Sequence, residues 1–184
     1  MEGFIPLETA IASRRSVRSY GPEALSDAEL GQLCWSAQGI TEEGGRFRAA
    51  PSAGALYPLE VYVATDQALY RYSPEDHALG LVRGEDVRLD LQAAALGQEH
   101  VGQAPAVFIM TGVVSRLEVK YGDRSWQYML LEAGHAAQNL LLQATTLELG
   151  ACPVGAFEDD GLAGILGLDD GEAPLYLITV GTLG

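Results

Sequence analysis

Apolar and polar residues alternate from Leu59 to Thr65, pause at Asp66 and Gln67, and alternate again from Ala68 to Tyr72 and from Ala78 to Val82. A period of two, broken by turn residues, predicts a meander of three strands. Ala106 to Gly112 (AVFIMTG) is apolar without interruption, which predicts a strand covered on both faces. Elsewhere the period is helical. Residues 6–14 place Leu7 and Ile11 on one face, with Ala10 beside them. Ser26-Asp-Ala-Glu29 is a capping box, and Leu30, Leu33, Cys34 and Ala37 follow at helical spacing, so a helix runs to about Ala37. Another helix is predicted over residues 87–97. The longest lies between Trp126 and Leu149, where Met129, Leu130, Ala133, Ala137, Leu140, Leu141, Ala144 and Leu147 stay in phase; Gly150 fits its C-terminus. Ala151 to Val154 reads as a short strand, Asp160 to Leu166 as a helix and Pro174 to Val180 as a last strand. Tight turns between most strands predict an α+β fold around a largely antiparallel sheet. No linker divides the chain, so residues 1–184 are expected to form a single domain.

One stretch does not follow from packing periodicity. Residues 41–58 form a long loop rich in Gly, Ala and Pro that ends in PSAGALYPLEVYV, residues 51–63. A turn needs one or two small residues. Ser52, Ala53, Gly54 and Ala55 in a row imply that some group lies close against the main chain. Loops longer than about 12 residues within a compact fold are usually functional or disordered.

Charge narrows the partners. Eleven basic residues against 25 acidic give a net charge of −14, which argues against nucleic acid or an anionic membrane. No window offers the ~20 apolar residues of a membrane span, and the start, MEGFIPLETAIASRR, does not read as a signal peptide. Cys34 and Cys152 lack CxxC spacing and read as reduced thiols, so a cytoplasmic location is expected. His77, His100 and His135 lie far apart, and no spacing suggests a metal.

The cations are unevenly placed. Arg14, Arg15 and Arg18 fall within five residues, while no Lys or Arg occurs from Ser125 to Gly184, and Lys120 is the sole lysine. A solvated helix end is one account of Arg14-Arg15-Ser16-Val17-Arg18, since cations suit a helix C-terminus. An anion is the other. Three guanidinia repel one another unless an anion lies between them, and Arg forks with a serine hydroxyl are phosphate ligands. There is no G-x-x-x-x-G-K-[ST] and no G-x-G-x-x-G after a strand, so the phosphate is not held by a P-loop or a Rossmann turn.

Three blocks together carry a resemblance. RRSVRSY resembles the phosphate segment of the FMN-dependent nitroreductase family. PSAGALYPLEVYV is similar to the loop and strand of its SagB-type (azoline oxidase) branch. YMLLEAGHAAQNLLLQATTLELGACPVGAF resembles the family's long central helix and flavin-facing strand. The resemblance implies a nitroreductase-like fold with helices flanking the sheet and the long helix at a homodimer interface. It also implies FMN as cofactor. Arg14, Arg15, Ser16 and Arg18 would hold the phosphate. Ser52, Ala53, Gly54 and Leu56 would approach the ring across the dimer interface. Pro153, Val154 and Gly155 would pass under it, with the amide of Gly155 or Ala156 donating to N5, and Gln98 would face the pyrimidine edge. In the SagB-type branch a Lys-Tyr pair deprotonates the azoline carbon; Lys120 and Tyr121 match it, and burial would lower a lysine pKa toward the working range. A tight turn before a strand, a strand end followed by a turn and a surface lysine ending a helix are the plainer accounts of these segments.

The match has departures. Relatives commonly carry a basic residue near the C-terminus that also contacts the phosphate, and here none is present. An R-x-Y-R-Y motif is replaced by Arg124-Ser-Trp-Gln-Tyr128. The chain is also shorter than azoline oxidases that dock on synthetase partners. The expected function is two-electron chemistry on FMN, with NAD(P)H as a transient reductant and a nitroaromatic, quinone or enone as acceptor. Oxidation of a thiazoline or oxazoline in a peptide, and flavin binding without turnover, are the alternatives.

Overall fold

Alternation along one strand sets the layers. The computed structural model describes residues 5–184; the first four residues of the MEGF start lie outside them. The helices are α1 (Leu7–Ser13), α2 (Asp27–Gln38), α3 (Arg88–Ala94), α4 (Glu99–Gln103), α5 (Ser115–Tyr121), α6 (Ser125–Thr146) and α7 (Asp159–Leu166). The strands are β1 (Leu59–Thr65), β2 (Leu69–Ser73), β3 (Ala78–Arg83), β4 (Ala106–Val113), β5 (Leu149–Val154) and β6 (Glu172–Thr182). They form one sheet in the order β3-β2-β1-β4-β6-β5, and every neighbouring pair is antiparallel. β4 lies inside the sheet, which is why its sequence carries no polar face. Ala106, Phe108 and Met110 point into a core shared with Leu33 of α2 and Leu140 of α6. Val107 and Ile109 point the other way, into a core shared with Leu91 of α3, Val101 of α4 and Leu162 of α7. The sheet is thus the middle of three layers.

The expected elements are present, with shifts at their ends. The Ser26 capping box forms: the Ser26 amide donates to Glu29 Oε2 at 2.7 Å and the Glu29 amide to Ser26 Oγ at 3.3 Å. The helix expected over residues 87–97 stops at Ala94, and α4 follows after a left-handed turn at Leu96 and Gly97. No period announces α5, which buries only Leu117 and so shows no stripe; the helix ending near Lys120 is the plainer account of that lysine. Gly150 does not end the long helix. The chain leaves α6 through Glu148 at φ 59°, and Gly150 lies within β5.

What requires a glycine at position 150 is a neighbour. The chain from Arg14 to Arg18 runs along the outer edge of β5: Ser16 bridges Ala151 in parallel, and the Val17 amide donates to the Ala151 carbonyl at 3.0 Å. A Cβ on Gly150 would lie 2.7 Å from Val17 Cγ1. Gly181 on β6 makes similar room, for Pro105 and the Tyr20 ring. Tyr20 then pins the segment, its hydroxyl bonded to the Val17 carbonyl at 2.7 Å and to Thr179 Oγ1 at 2.6 Å. Gly150→Ala is therefore expected to cost ~1–3 kcal/mol by overpacking, measured by urea denaturation. A change within about 0.5 kcal/mol, the scale of an ordinary surface substitution, would show that Val17 moves aside freely.

Candidate functional site

An extended chain sends alternate side chains to opposite sides. In the 14–18 segment this puts Arg14, Ser16 and Arg18 together, away from Val17. All three act on the thiol of Cys152 in β5: burial pushes its pKa up, while the Arg18 charge, the Ser16 hydroxyl and the Arg14 charge pull it back. Arg18 also faces His100 of α4, a residue only 8 % exposed whose Nε2 has no hydrogen-bond partner among the described residues. Desolvation first, and the Arg18 charge second, hold the His100 pKa down. Among the described residues no carboxylate pairs with Arg14, Arg15 or Arg18; the five ion pairs use Arg48, Arg71, Arg83, Arg88 and Arg116. Arg15 differs from its neighbours. Its Nη1 donates to the carbonyls of Ala12 at 2.9 Å and Arg14 at 2.8 Å, closing the end of α1.

The far end of β5 lies beside the turn that opens α4. Gln98 Nε2 donates to the carbonyls of Ala95 at 2.9 Å and Ala156 at 3.0 Å, tying the turn to the segment after Gly155. Pro153 and Val154 end β5, and a Cβ at Gly155 would touch only Tyr176, at 3.6 Å. Cations, a buried unpartnered imidazole, an amide and open backbone therefore follow one another along one strand.

The second group gathers around the 51–57 loop. Gly54 (φ 64°), Ala55 (φ 53°) and Tyr57 (φ 47°) all occupy the left-handed region. For Ala and Tyr this is unfavourable, and it persists only where surrounding contacts impose it. Those contacts are visible. The Tyr57 amide donates to Ser52 Oγ at 2.9 Å, its hydroxyl to the Arg46 carbonyl at 2.6 Å, and Arg116 Nη1 donates to the Tyr57 carbonyl at 2.9 Å. The Arg48 guanidinium stacks 4.5 Å from the Tyr57 ring centroid. What lies against the small residues is the end of α5. A Cβ at Gly54 would stand 2.8 Å from Tyr121 Oη and 3.0 Å from Lys120 Nζ. Lys120 is exposed. Ala53 and Leu56 pack on the core beside Tyr121 and Tyr128.

The sequence profile of the nitroreductase family matches residues 11–182 of the chain. The chain belongs to the nitroreductase family. A protein of Methanocaldococcus jannaschii whose name places it among the nitroreductases is 42 % identical over 183 residues, covering 96 % of this chain and 91 % of that one. A Ralstonia eutropha crystal structure titled as a nitroreductase superposes with a TM-score of 0.89 at 30 % identity, over all of this chain and 85 % of the other. A trifolitoxin operon protein of Rhizobium leguminosarum bv. trifolii is 24 % identical over 93 % of this chain, which spans only 54 % of that longer protein.

Within this nitroreductase fold the residues singled out by sequence fall into two sets. Arg14, Ser16, Arg18, Gln98, Pro153, Val154 and Gly155 lie on or beside β5. Ser52, Ala53, Gly54, Leu56, Lys120 and Tyr121 surround the loop. Among the described residues no hydrogen bond or ion pair joins one set to the other. Nor does any group of three or more His, Cys, Asp or Glu residues stand ready to hold a metal, or any helix prove long and apolar enough to cross a membrane.

Sequence reasoning passed over Glu132. It projects from α6, is 2 % exposed, and lines a small cavity with Ser52, Tyr128 and His135. Among the described residues neither of its oxygens, nor the neighbouring Gln38 Nε2, meets full hydrogen-bond geometry, although Ser52 and Gln38 lie close enough to act on the carboxyl. The signal was its phase: Glu132 lies three residues after Met129 and four before Ala136, on the apolar stripe. Burial pushes its pKa up to about 7, against the lowering influence of Ser52, Arg48 and Gln38.

A carboxyl raised in this way favours the fold when protonated. Its contribution is fully present below about pH 4.5, its ordinary value, and is lost as the pH rises through about 7. Glu132→Gln should therefore match the wild type near pH 4.5 and exceed it by on the order of 3 kcal/mol at pH 8, measured by urea denaturation. Parallel pH profiles for the two proteins would refute the raised pKa.

Proposed function

We propose that the chain is an FMN-dependent oxidoreductase acting as a homodimer, with two-electron ping-pong transfer between NAD(P)H and a nitro, quinone or enone acceptor. One observation carries the reading: Arg14, Ser16 and Arg18 share one side of an extended segment without a carboxylate partner among the described residues, beside a buried, unpartnered His100 Nε2. In a chain of net charge −14, that arrangement calls for an anion. The residues fit the cofactor that the family resemblance implies. Arg14, Ser16 and Arg18 would hold the phosphate, Arg15 fixing the helix end from which they emerge. Pro153, Val154 and Gly155 would present open backbone to a flat ring, with the Gly155 or Ala156 amide directed at N5. Gln98, already anchored through its Nε2, would orient the pyrimidine edge. FMN, when bound, supplies reversible hydride chemistry. The protein supplies position and fixed dipoles.

The loop residues Ser52, Ala53, Gly54 and Leu56 belong to this site if a second copy brings them there. An apolar strip supports the pairing. Trp126, Leu130 and Leu131 of α6 and Leu7 and Ile11 of α1 are exposed, and a Cβ at Gly134 of α6 would meet nothing within 4 Å. Open space over a mid-helix glycine, which costs about 1 kcal/mol relative to Ala, suits close approach of a symmetry-related helix.

The tight approach of Lys120 and Tyr121 to Gly54 favours a second reading, dehydrogenation of a thiazoline or oxazoline in a peptide, with the pair as base. A partner subunit or substrate settling over the loop would enclose the pair.

Four measurements separate these readings. The purified protein should be yellow and release FMN on denaturation; a colourless preparation that cannot be reconstituted with FMN rejects the assignment. Arg18→Glu should weaken FMN by at least about 10-fold, the loss of a charge-assisted hydrogen bond, while Arg83→Glu should not; equal effects would make the cluster an ordinary solvated surface. NAD(P)H oxidation with menadione should exceed that of free FMN, and no excess would leave a flavin binder without turnover. If a thiazoline peptide is a substrate, Lys120→Ala should slow it by about 100-fold or more; a wild-type rate removes the base assignment.

A further inference from the structure

Four polar groups meet beneath the loop, and their donors and acceptors do not balance without Glu132. Ser52 Oγ accepts the Tyr57 amide at 2.9 Å, which leaves its own hydrogen to donate. Gln38 Oε1 accepts Arg48 Nη1 at 3.1 Å, while Gln38 Nε2 is a buried donor without an acceptor. The two oxygens of Glu132 are buried acceptors without donors. Tyr128 and His135, from the same helix, line the cavity alongside, and the Arg48 charge acts on the carboxyl. A carboxylate can accept from a hydroxyl and an amide at once, whereas a carboxamide offers only one oxygen. Small rotations of Ser52 and Gln38 complete the set.

We propose that Glu132 is the positioning residue of the 51–57 loop: its carboxylate holds the Ser52 hydroxyl, Ser52 holds the Tyr57 amide, and the left-handed backbone between them is fixed as a consequence. The chain of contacts starts on the rigid α6 and ends at Gly54, where Lys120 and Tyr121 approach. A carboxylate buried here at a cost to folding is expected where position matters more than stability. The part of the inference that concerns the cofactor rests on the FMN reading above: a loop held this way is presented in one conformation to the flavin.

The test uses the whole chain and two independent readouts. In the flavin-free protein, amide hydrogen exchange at Tyr57, followed by NMR at pH 8, should accelerate by on the order of tenfold in Glu132→Gln and in Ser52→Ala. The double variant should show no further acceleration, because both substitutions cut the same chain of contacts. Glu132→Gln should at the same time be more stable than wild type at pH 8 and bind FMN more weakly, a combination that a merely structural role would not produce. Unchanged exchange at Tyr57, multiplying effects in the double variant, or a Glu132→Gln protein less stable than wild type would each overturn the proposal. If wild type binds no FMN, the cofactor reading fails alone, and the exchange measurement still decides the role of Glu132.

Discussion

The bond from the Val17 amide to the Ala151 carbonyl fixes more of this molecule than its 3.0 Å length suggests. It fastens an otherwise irregular segment to the outermost strand of the sheet, in register. Alternation then determines which side chains turn toward Cys152 and His100 and which turn toward Gly150. Had the segment shifted by one residue, Arg15 and Val17 would occupy the cationic face and Arg14 and Arg18 would lose it. Gly150 and Gly181 enforce the register from below by accepting Val17 and Tyr20 at distances that any larger residue would forbid. The phosphate-binding capacity proposed for the chain is therefore a property of sheet pairing as much as of arginine content.

The same economy governs charge. Acidic residues outnumber basic ones, and the arginines that brace the fold are each committed to a carboxylate: Arg116 and Arg71 converge on Glu60, Arg48 on Glu75, Arg88 on Asp86. Among the described residues Arg14 and Arg18 have no carboxylate partner, and unlike Arg15, which bonds two carbonyls, and Arg46 and Arg124, which lie over the Phe47 and Tyr128 rings, they share one side of an extended segment. Glu132 is the complementary case, an acid kept away from water and from any paired cation. Both departures from electrostatic balance occur beside residues that the family resemblance connects with the flavin, where consistency between local rules and the fold is expected to break down.

Much of this was legible in the sequence. The meander β1–β3, the doubly covered β4 and the capped α2 were each written as a period or a motif that only one local structure satisfies. The RRSVR and PSAGALYP segments were legible as chemistry because their composition is wrong for packing alone. Other features lay beyond a one-dimensional reading. Helices α4 and α5 are too short to show a stripe. Gly150 imitates a helix terminator because Glu148, two residues past the end of α6, adopts a left-handed conformation usually left to glycine. Gln98 was singled out for its amide, yet its two carbonyl partners, 3 and 58 residues away, arise only when α3 and β5 come together. Glu132 was hidden by an apolar context that made a single acid look like an interruption on a solvent face.

The near-absence of lysine has a practical consequence. Among 184 residues Lys120 is the one side-chain amine, and it stands exposed with its Nζ 5.4 Å from the Tyr121 ring centroid, against Gly54. An acylating reagent or an amine-directed cross-linker thus has a single side-chain target, located at the edge of the loop and not scattered over the surface. A dye or tether placed there would report directly on whatever settles over that loop.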